Sequence, residues 1–200
     1  MALTLHYTLS TRSPLSDDAV ADLAARARTF AAEAEVESVS RPERVGPDTP
    51  LAHEWVVVPP VRGGATHINV PPAAGHLFTV TVGQGCEPLL LGLCRYPAVV
   101  RHRGRDLPTK VGNGWRLRQS CQTQGAGLWG WDHFFHCHLT AIQILTHWRE
   151  LGVPIRIRDE GGYWPRHSVL TLRRNLLRLN GIFAAVAGAP APEPASTSVR

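Results

Sequence analysis

The stretch WDHFFHCHLTAIQILTHWRELGVPIRIRDE, residues 131–160, predicts a long helix followed directly by a strand. Apolar side chains recur at helical spacing over residues 132–151. The predicted helix ends at Gly152, a common residue just after a helix, and Pro154 prevents its continuation. Apolar and charged residues then alternate over residues 154–160, which is typical of a strand. The predicted buried stripe of the helix is Phe134, Cys137, Ala141, Leu145 and Trp148.

Two β-α-β units are predicted, one at each end of the chain. The helix at 132–151 is preceded by alternating residues at 115–122 and followed by the strand at 154–160. The other unit has strands at 2–9 and 36–41, with an amphipathic helix at 17–34 between them. Ser16 is expected to cap that helix, because a side-chain oxygen there can accept from a free backbone amide.

The middle of the chain predicts further strands, so that strands are grouped there with helices at both ends. This order favours an α+β fold, with a mixed or mainly antiparallel sheet and about three helices. The segment HEWVVV is expected to be an ordinary buried strand, and Ser168 is expected to cap the last helix. The predicted central strands are 53–58, 76–82, and a pair formed by 89–94 and 98–102; 42–50 is a predicted loop, and 66–70 a short extended piece.

Length and composition indicate one domain of ordinary size. The chain has 200 residues, and we expect a single α+β domain over 1–187. Residues 188–200, GAPAPEPASTSVR, form a predicted disordered tail, since proline, alanine and serine cannot supply a core. With 44% hydrophobic and 18% charged residues, the chain fits neither a disordered segment nor a membrane protein.

The sequence also indicates where in the cell the protein is expected and what kind of organism it comes from. No apolar run approaches the roughly 20 residues that span a bilayer, and MALTLHYTLS does not resemble a secretion signal. Lys110 is the one lysine among 21 basic residues, and alanine is abundant, which is typical of a GC-rich bacterial genome. We therefore expect a cytoplasmic bacterial protein.

The charge is divided unevenly along the chain. Residues 1–85 carry six basic and nine acidic side chains, whereas residues 86–200 carry fifteen and seven. A basic half attracts anions, phosphate esters or nucleic acid. The plainer alternative is that these arginines pair with nearby carboxylates or face solvent.

The four cysteines favour neither a zinc ribbon nor a thioredoxin-type redox site, because no two of them form a CxxC pair. In a cytosolic protein they are expected to be reduced. Cys86 and Cys94 are interpreted as small buried hydrophobic residues.

The stretch 119–138, QSCQTQGAGLWGWDHFFHCH, is the densest polar segment. His133 and His136 lie three apart on the first helical turn, so both can reach one metal ion such as Zn²⁺ if further ligands arrive from elsewhere. Alternatively they are an exposed pair, with Asp132 acting only as the N-cap. His138 is expected to be a core histidine bonded to a backbone carbonyl. Ligands considered for the metal are Asp132, Cys121, Asp159 and Glu160.

A thiol nucleophile is a separate hypothesis for the same segment. It pairs Cys121 or Cys137 with a nearby histidine as base, because the thiolate is the reactive form. Cys121, just before the loop, is the better placed, whereas Cys137 lies on the predicted buried stripe.

A second polar segment, RIRDEGGYWPRH, covers residues 156–167. Asp159 and Glu160 are neighbours on a predicted strand and so point to opposite faces, which disfavours a matched acid–base pair. Either one can still serve as a base, a metal ligand or an arginine partner. Tyr163 and Trp164 form either a stacking wall for a ligand or a lid over the core.

Two predicted strands place arginines on one face. Arg116 and Arg118 alternate with apolar residues on one strand, and Arg156 and Arg158 do so on another. In a suitable register the four guanidinium groups would line one sheet surface suited to phosphate or carboxylate. The alternative is pairing with Asp159, Glu160 or Glu87. Arginines that would widen the patch are Arg101, Arg103 and Arg105.

These patterns leave two functional hypotheses, and they do not decide whether the protein is an enzyme. In the first, the segments 119–138 and 159–167 form one polar pocket for a small anionic substrate, with metal assistance as an option. His133, His136, Asp159, Glu160 and Cys121 would supply the chemistry there, and the arginines would orient the substrate. In the second, the arginine face of a non-catalytic domain binds an anionic partner; nucleic acid is less favoured than a small ligand, because no helix-turn-helix or zinc-finger pattern occurs.

Overall fold

The computed structural model describes residues 3–11, 14–58 and 66–187. Three α-helices and eleven strands occur in this part of the chain, together with short 3₁₀ turns at Pro50–Ala52 and Gln124–Trp129. The helices are α1 (Asp17–Glu33), α2 (Trp131–Glu150) and α3 (Val169–Ala187). The strands are β1 (Thr4–Ser10), β2 (Ser38–Val39), β3 (Glu43–Val45), β4 (Glu54–Val58), β5 (Thr66–Val70), β6 (Ala74–Thr81), β7 (Leu89–Arg95), β8 (Val99–His102), β9 (Arg105–Pro108), β10 (Trp115–Gln122) and β11 (Ile155–Asp159).

One antiparallel sheet organises the molecule. Its strand order is β11-β1-β10-β7-β6-β2, and β3 also pairs with β6. Two separate antiparallel hairpins, β4–β5 and β8–β9, are added to this sheet. The prediction of an α+β fold with a mainly antiparallel sheet is therefore confirmed.

The two predicted β-α-β units take different places in the sheet. Since β1 pairs antiparallel with both β10 and β11, the crossover β10-α2-β11 connects two parallel strands that have β1 between them. The first predicted unit, β1-α1-β2, ends at the far edge of the sheet, where β2 pairs with β6. Strand β7, which belongs to neither predicted unit, runs parallel to β1 with β10 between them. Strands β11, β1, β10 and β7 thus have the arrangement of a split β-α-β motif.

The helices cover one face of the sheet and enclose the core. Leu5, Tyr7 and Leu9 of β1 are buried on this face. Helices α1 and α2 contact each other, and the Phe30 ring stacks on His147 with 3.8 Å between ring centroids. The predicted stripe of α2 is confirmed: Phe134, Cys137, Ala141, Leu145 and Trp148 are all fully buried.

Several predictions of local structure need correction. Segments 89–94 and 98–102 do not pair, because β7 lies between β6 and β10 while β8 forms a hairpin with β9. The predicted loop 42–50 contains β3, which takes the available edge of β6. Asp132 lies in the first turn of α2, whose N-cap is Gly130.

Other predictions stand as follows. Ser16 caps α1, and its Oγ accepts from the Ala19 amide at 3.2 Å. The predicted tail, 188–200, lies outside the described residues. Among the described helices, none combines the length and the apolar character needed to cross a membrane.

Candidate anion-binding groove

The arginines predicted to share a face do so, on the side of the sheet away from the helices. In the register of the sheet, Thr8 of β1 lies opposite Arg118 of β10 on one side and Arg156 of β11 on the other. One step along, His6 lies opposite Arg158. The periodicity of each strand predicted which side chains share a face, but it did not predict that β1, itself an expected strand, lies between the two arginine strands.

These side chains form the floor of a groove of about 950 Å³. Its wall is the segment from Leu51 to Val57, together with His67 of the β4–β5 hairpin. Two contacts hold the wall to the floor. The Glu54 carboxylate lies 3.2 Å from the Arg116 guanidinium, and the Gln119 amide donates to the Leu51 carbonyl at 2.6 Å.

Two of the four arginines are paired with carboxylates. Arg116 binds Glu54, and Arg158 lies 2.6 Å from Glu160, which also lies 3.2 Å from His6 Nε2. Burial raises the pKa of Glu54, and the charges of Arg116 and Arg118 only partly offset this effect. The hydrogen bond from Arg158 holds the pKa of Glu160 below its usual value. Arg116 and Arg158 thus pair with carboxylates, as the alternative interpretation of the arginine face expected.

Arg118 and Arg156 form no ion pair with a carboxylate of the described residues. Their Cα atoms lie two strand spacings apart, about 10 Å, so both flexible side chains can converge above Thr8. Four guanidinium groups against two carboxylates leave an excess of two positive charges, before any histidine is protonated. A small anion is the ligand that this arrangement can hold best.

Most residues of the groove wall were not predicted from the sequence. His6, His53, His67, Glu54 and Trp55 all line the groove, and none was considered as a site residue. The expectation that HEWVVV is an ordinary buried strand was wrong, because Trp55 and Val57 are exposed while their neighbours are buried. The alternation of β4 was a usable signal, since it places Trp55 on the face opposite Val56.

His133 and His136 lie outside this groove and bind two different loops. His133 Nε2 is 3.0 Å from the Gln84 carbonyl, and His136 Nε2 is 3.1 Å from the Glu35 carbonyl. Each imidazole can donate to its carbonyl and so fix a loop against α2. Within residues 3–11, 14–58 and 66–187, no three side chains of His, Cys, Asp or Glu form a group able to hold a metal ion.

The thiols are arranged differently from the prediction. Cys121 is buried, its Sγ lies 3.1 Å from the Glu87 carbonyl, and burial raises its pKa to about 12, so it stays a thiol. Cys137 is the cysteine near a histidine, with its Sγ 3.6 Å from His133 Nε2. A hydrogen bond from Cys86 lowers the pKa of Cys137, although Cys137 is itself buried. Cys94 is buried as predicted, and Cys86 is half-buried.

The two polar segments do converge, but at a buried junction. His138 Nδ1 lies 2.8 Å from the Thr123 hydroxyl, and His138 Nε2 lies 3.3 Å from Asp159 Oδ2. Nδ1 can accept a hydrogen bond from the Thr123 hydroxyl, whereas Nε2 faces the carboxylate without forming a hydrogen bond to any of the described residues. Both His138 and Asp159 have 0% side-chain exposure. His138 is thus the predicted core histidine, but its partners are side chains rather than a backbone carbonyl.

Asp159 organises the turn that follows β11. Its carboxylate accepts from the backbone amides of Gly161, Tyr163 and Trp164 at 2.6–2.9 Å. Burial acts to raise its pKa, but the nearby His138 ring and the backbone amides of Trp164 and Gly161 lower it overall. Asp159 and Glu160 point to opposite faces, as predicted, since Glu160 contacts Arg158 and His6 in the groove region.

Tyr163 and Trp164 are a lid over the core rather than an open stacking wall. Tyr163 is buried, and its ring packs edge-on against Phe135 and His138. Trp164 is partly buried beneath the Arg149 guanidinium, which lies 5.2 Å from the ring centroid.

Comparisons with known proteins add no functional information. No protein-family model matches the chain, and no curated protein or solved structure matches it significantly.

Proposed function

We propose that this protein binds a small anionic ligand in the arginine groove, with Arg118, Thr8 and Arg156 as the anion subsite. The observation that carries this proposal is the register of the sheet, in which Arg118 and Arg156 flank Thr8, neither of them with a carboxylate partner among the described residues. Guanidinium forks match the geometry of phosphate and carboxylate oxygens.

The groove also supports a ligand-binding role by its size and setting. A volume of about 950 Å³ is at the upper end of what small-molecule sites occupy. Glu54 and Glu160 neutralise the outer arginines, so the excess charge is concentrated at the Thr8 row. The cytoplasmic location and bacterial source inferred from the sequence belong to this proposal as well.

Titration calorimetry with inorganic phosphate at pH 7 tests the proposal. Arg118→Gln and Arg156→Gln should each weaken binding about tenfold or more, since a hydrogen bond between charged groups contributes about 1.5–3 kcal/mol. Arg105→Gln is the matched control, because Arg105 is an exposed residue of the β8–β9 hairpin that does not line the groove; this variant should bind like the wild type. Affinity should also fall as the salt concentration rises.

A second control separates this proposal from the hypothesis of a histidine site. His136→Ala removes a contact to the Glu35 carbonyl outside the groove and should leave phosphate binding unchanged. Wild-type affinity in the Arg118→Gln, Arg156→Gln double variant would reject the groove as the binding site, and loss of binding in His136→Ala would favour the histidine site.

A further inference from the structure

The groove has an aromatic element that an anion alone does not need. In β4, Glu54, Val56 and Val58 are buried, whereas Trp55 has 62% of its surface exposed and lines the groove. Exposed apolar neighbours, Leu51 and Val57, belong to the same wall. A large indole left open beside a cationic floor is suited to a flat ring with an anionic group attached.

The position of Trp55 relative to the floor is fixed by its neighbours. Glu54, the preceding residue, lies 3.2 Å from Arg116, and Leu51 accepts a hydrogen bond from Gln119. On the other side Trp55 pairs with Asn69 in the β4–β5 hairpin, and Val57 pairs with His67. The indole is therefore held by a two-stranded element that is tied to the strand carrying Arg118.

From this juxtaposition we propose that the ligand is a nucleotide unit, whose phosphate binds between Arg118 and Arg156 while its base stacks on Trp55. The inference rests on the proposed function, because the phosphate occupies the same anion subsite. Bases of any sequence stack favourably on aromatic side chains, because every base has a flat π-face. His53 and His67 line the same wall and offer ring nitrogens to the polar edge of a base.

The test compares probes that share a phosphate and differ in the base. Titration calorimetry of the full chain uses inorganic phosphate, ribose 5-phosphate and adenosine 5′-monophosphate. The adenine-containing probe should bind at least tenfold more tightly than ribose 5-phosphate. In Trp55→Ala that advantage should disappear, while the affinity for inorganic phosphate stays within twofold of the wild-type value.

Trp129→Ala is the matched control, since Trp129 is also an exposed tryptophan but lies outside the groove residues. It should keep the full preference for the adenine probe. The last probe is a single-stranded oligoadenylate. If it binds more tightly than adenosine 5′-monophosphate, the ligand is a nucleotide within a single strand. If the two affinities are equal, the ligand is a free nucleotide.

Failure of the inference and failure of the proposed function give different results. Equal affinities for ribose 5-phosphate and the adenine probe, with phosphate binding intact, would overturn the nucleotide inference and leave the anion subsite standing. An unchanged adenine preference in Trp55→Ala would also overturn it. No phosphate binding by the wild type would overturn both.

Discussion

At the scale of single residues, some side chains stabilise the fold and others face the groove. Two residues adjacent in sequence can belong to different groups. Asp159 and Glu160 are adjacent carboxylates with lowered pKa values. Asp159 is enclosed with His138 and three backbone amides, whereas Glu160 contacts charged side chains at the surface. Their substitution should therefore have unequal consequences.

Asp159→Asn should reduce the free energy of unfolding by about 2–4 kcal/mol at pH 7, because it removes the charge that His138 and the turn amides face. Since the folded-state pKa is lowered, this stabilisation is present above the ordinary carboxyl pKa and is lost as pH falls through the folded value. Urea unfolding between pH 3 and pH 7 should show the two proteins converging at acidic pH.

Glu160→Gln is the matched control for Asp159→Asn and should change stability by less than about 1 kcal/mol, as surface ion pairs do. A similar loss in both variants would contradict the structural role assigned to the buried carboxylate.

Glu54→Gln should strengthen phosphate binding several-fold, because Arg116 would lose its carboxylate partner and add a charge to the groove. The pKa of Glu54 is raised by burial, so its negative charge is lost as pH falls through that raised value. The gain should accordingly shrink in acid, which calorimetry at pH 5 and pH 8 would measure.

Glu150→Gln, at an exposed glutamate paired with His147 on α2, should leave phosphate binding unchanged. Weaker binding in Glu54→Gln would instead mean that Glu54 is needed to position Arg116.

At the scale of elements, strand β7 contains a glycine, Gly92, at which its backbone comes very close to the backbone of β6. Gly92 has φ +129°, and a Cβ there would collide with the His76 carbonyl on β6. This glycine allows two central strands to pair where β7 departs from regular geometry.

Gly92→Ala should lower the free energy of unfolding by about 2 kcal/mol or more, since backbone strain and the collision act together. Gly46→Ala is the control, because the space around Gly46 is open and its φ is ordinary. Equal denaturation midpoints for the two variants would show that β7 adjusts without cost.

Elements were predictable from the sequence where the signal is local. The periodicity of α2 identified its buried stripe, and alternation placed Arg116 and Arg118 on one face. Pairing was not predictable, because β1 joins strands more than a hundred residues away, and nothing in its own sequence specifies them. The groove wall was missed for the same reason, since the role of Trp55 depends on where the hairpin docks.

At the scale of the whole molecule, the buried His138–Asp159 contact and the groove arginines lie on opposite faces of the sheet. The helix-covered face carries much of the core and the buried His138–Asp159 contact, while the opposite face carries the arginines. Buried residues of the β4–β5 hairpin, among them Val56 and Val58, also belong to the core. Substitutions of Arg118 and Arg156, which have no carboxylate partner among the described residues, should therefore alter affinity with little effect on folding.

Truncation of the C-terminus tests the predicted extent of the domain, residues 1–187. Removing residues 188–200 should change the free energy of unfolding by less than about 0.5 kcal/mol, because that composition cannot supply a core. Ending the chain at Asn175 also removes Leu176 and Leu179, which are buried, and should destabilise it strongly. Thermal unfolding would compare the stabilities of the two truncated proteins. A large loss of stability on removal of residues 188–200 would mean that the domain extends into that segment.

The central position of β1 has a consequence for synthesis on the ribosome. Both of its edges are satisfied by strands that are translated last, β10 and β11. Until residue 159 has left the exit tunnel, the backbone hydrogen-bonding groups at the edges of β1 have no partner strand, and its apolar side chains stay exposed. We expect the nascent chain to need shielding by a chaperone during that interval, and to become protease-resistant late and in one step.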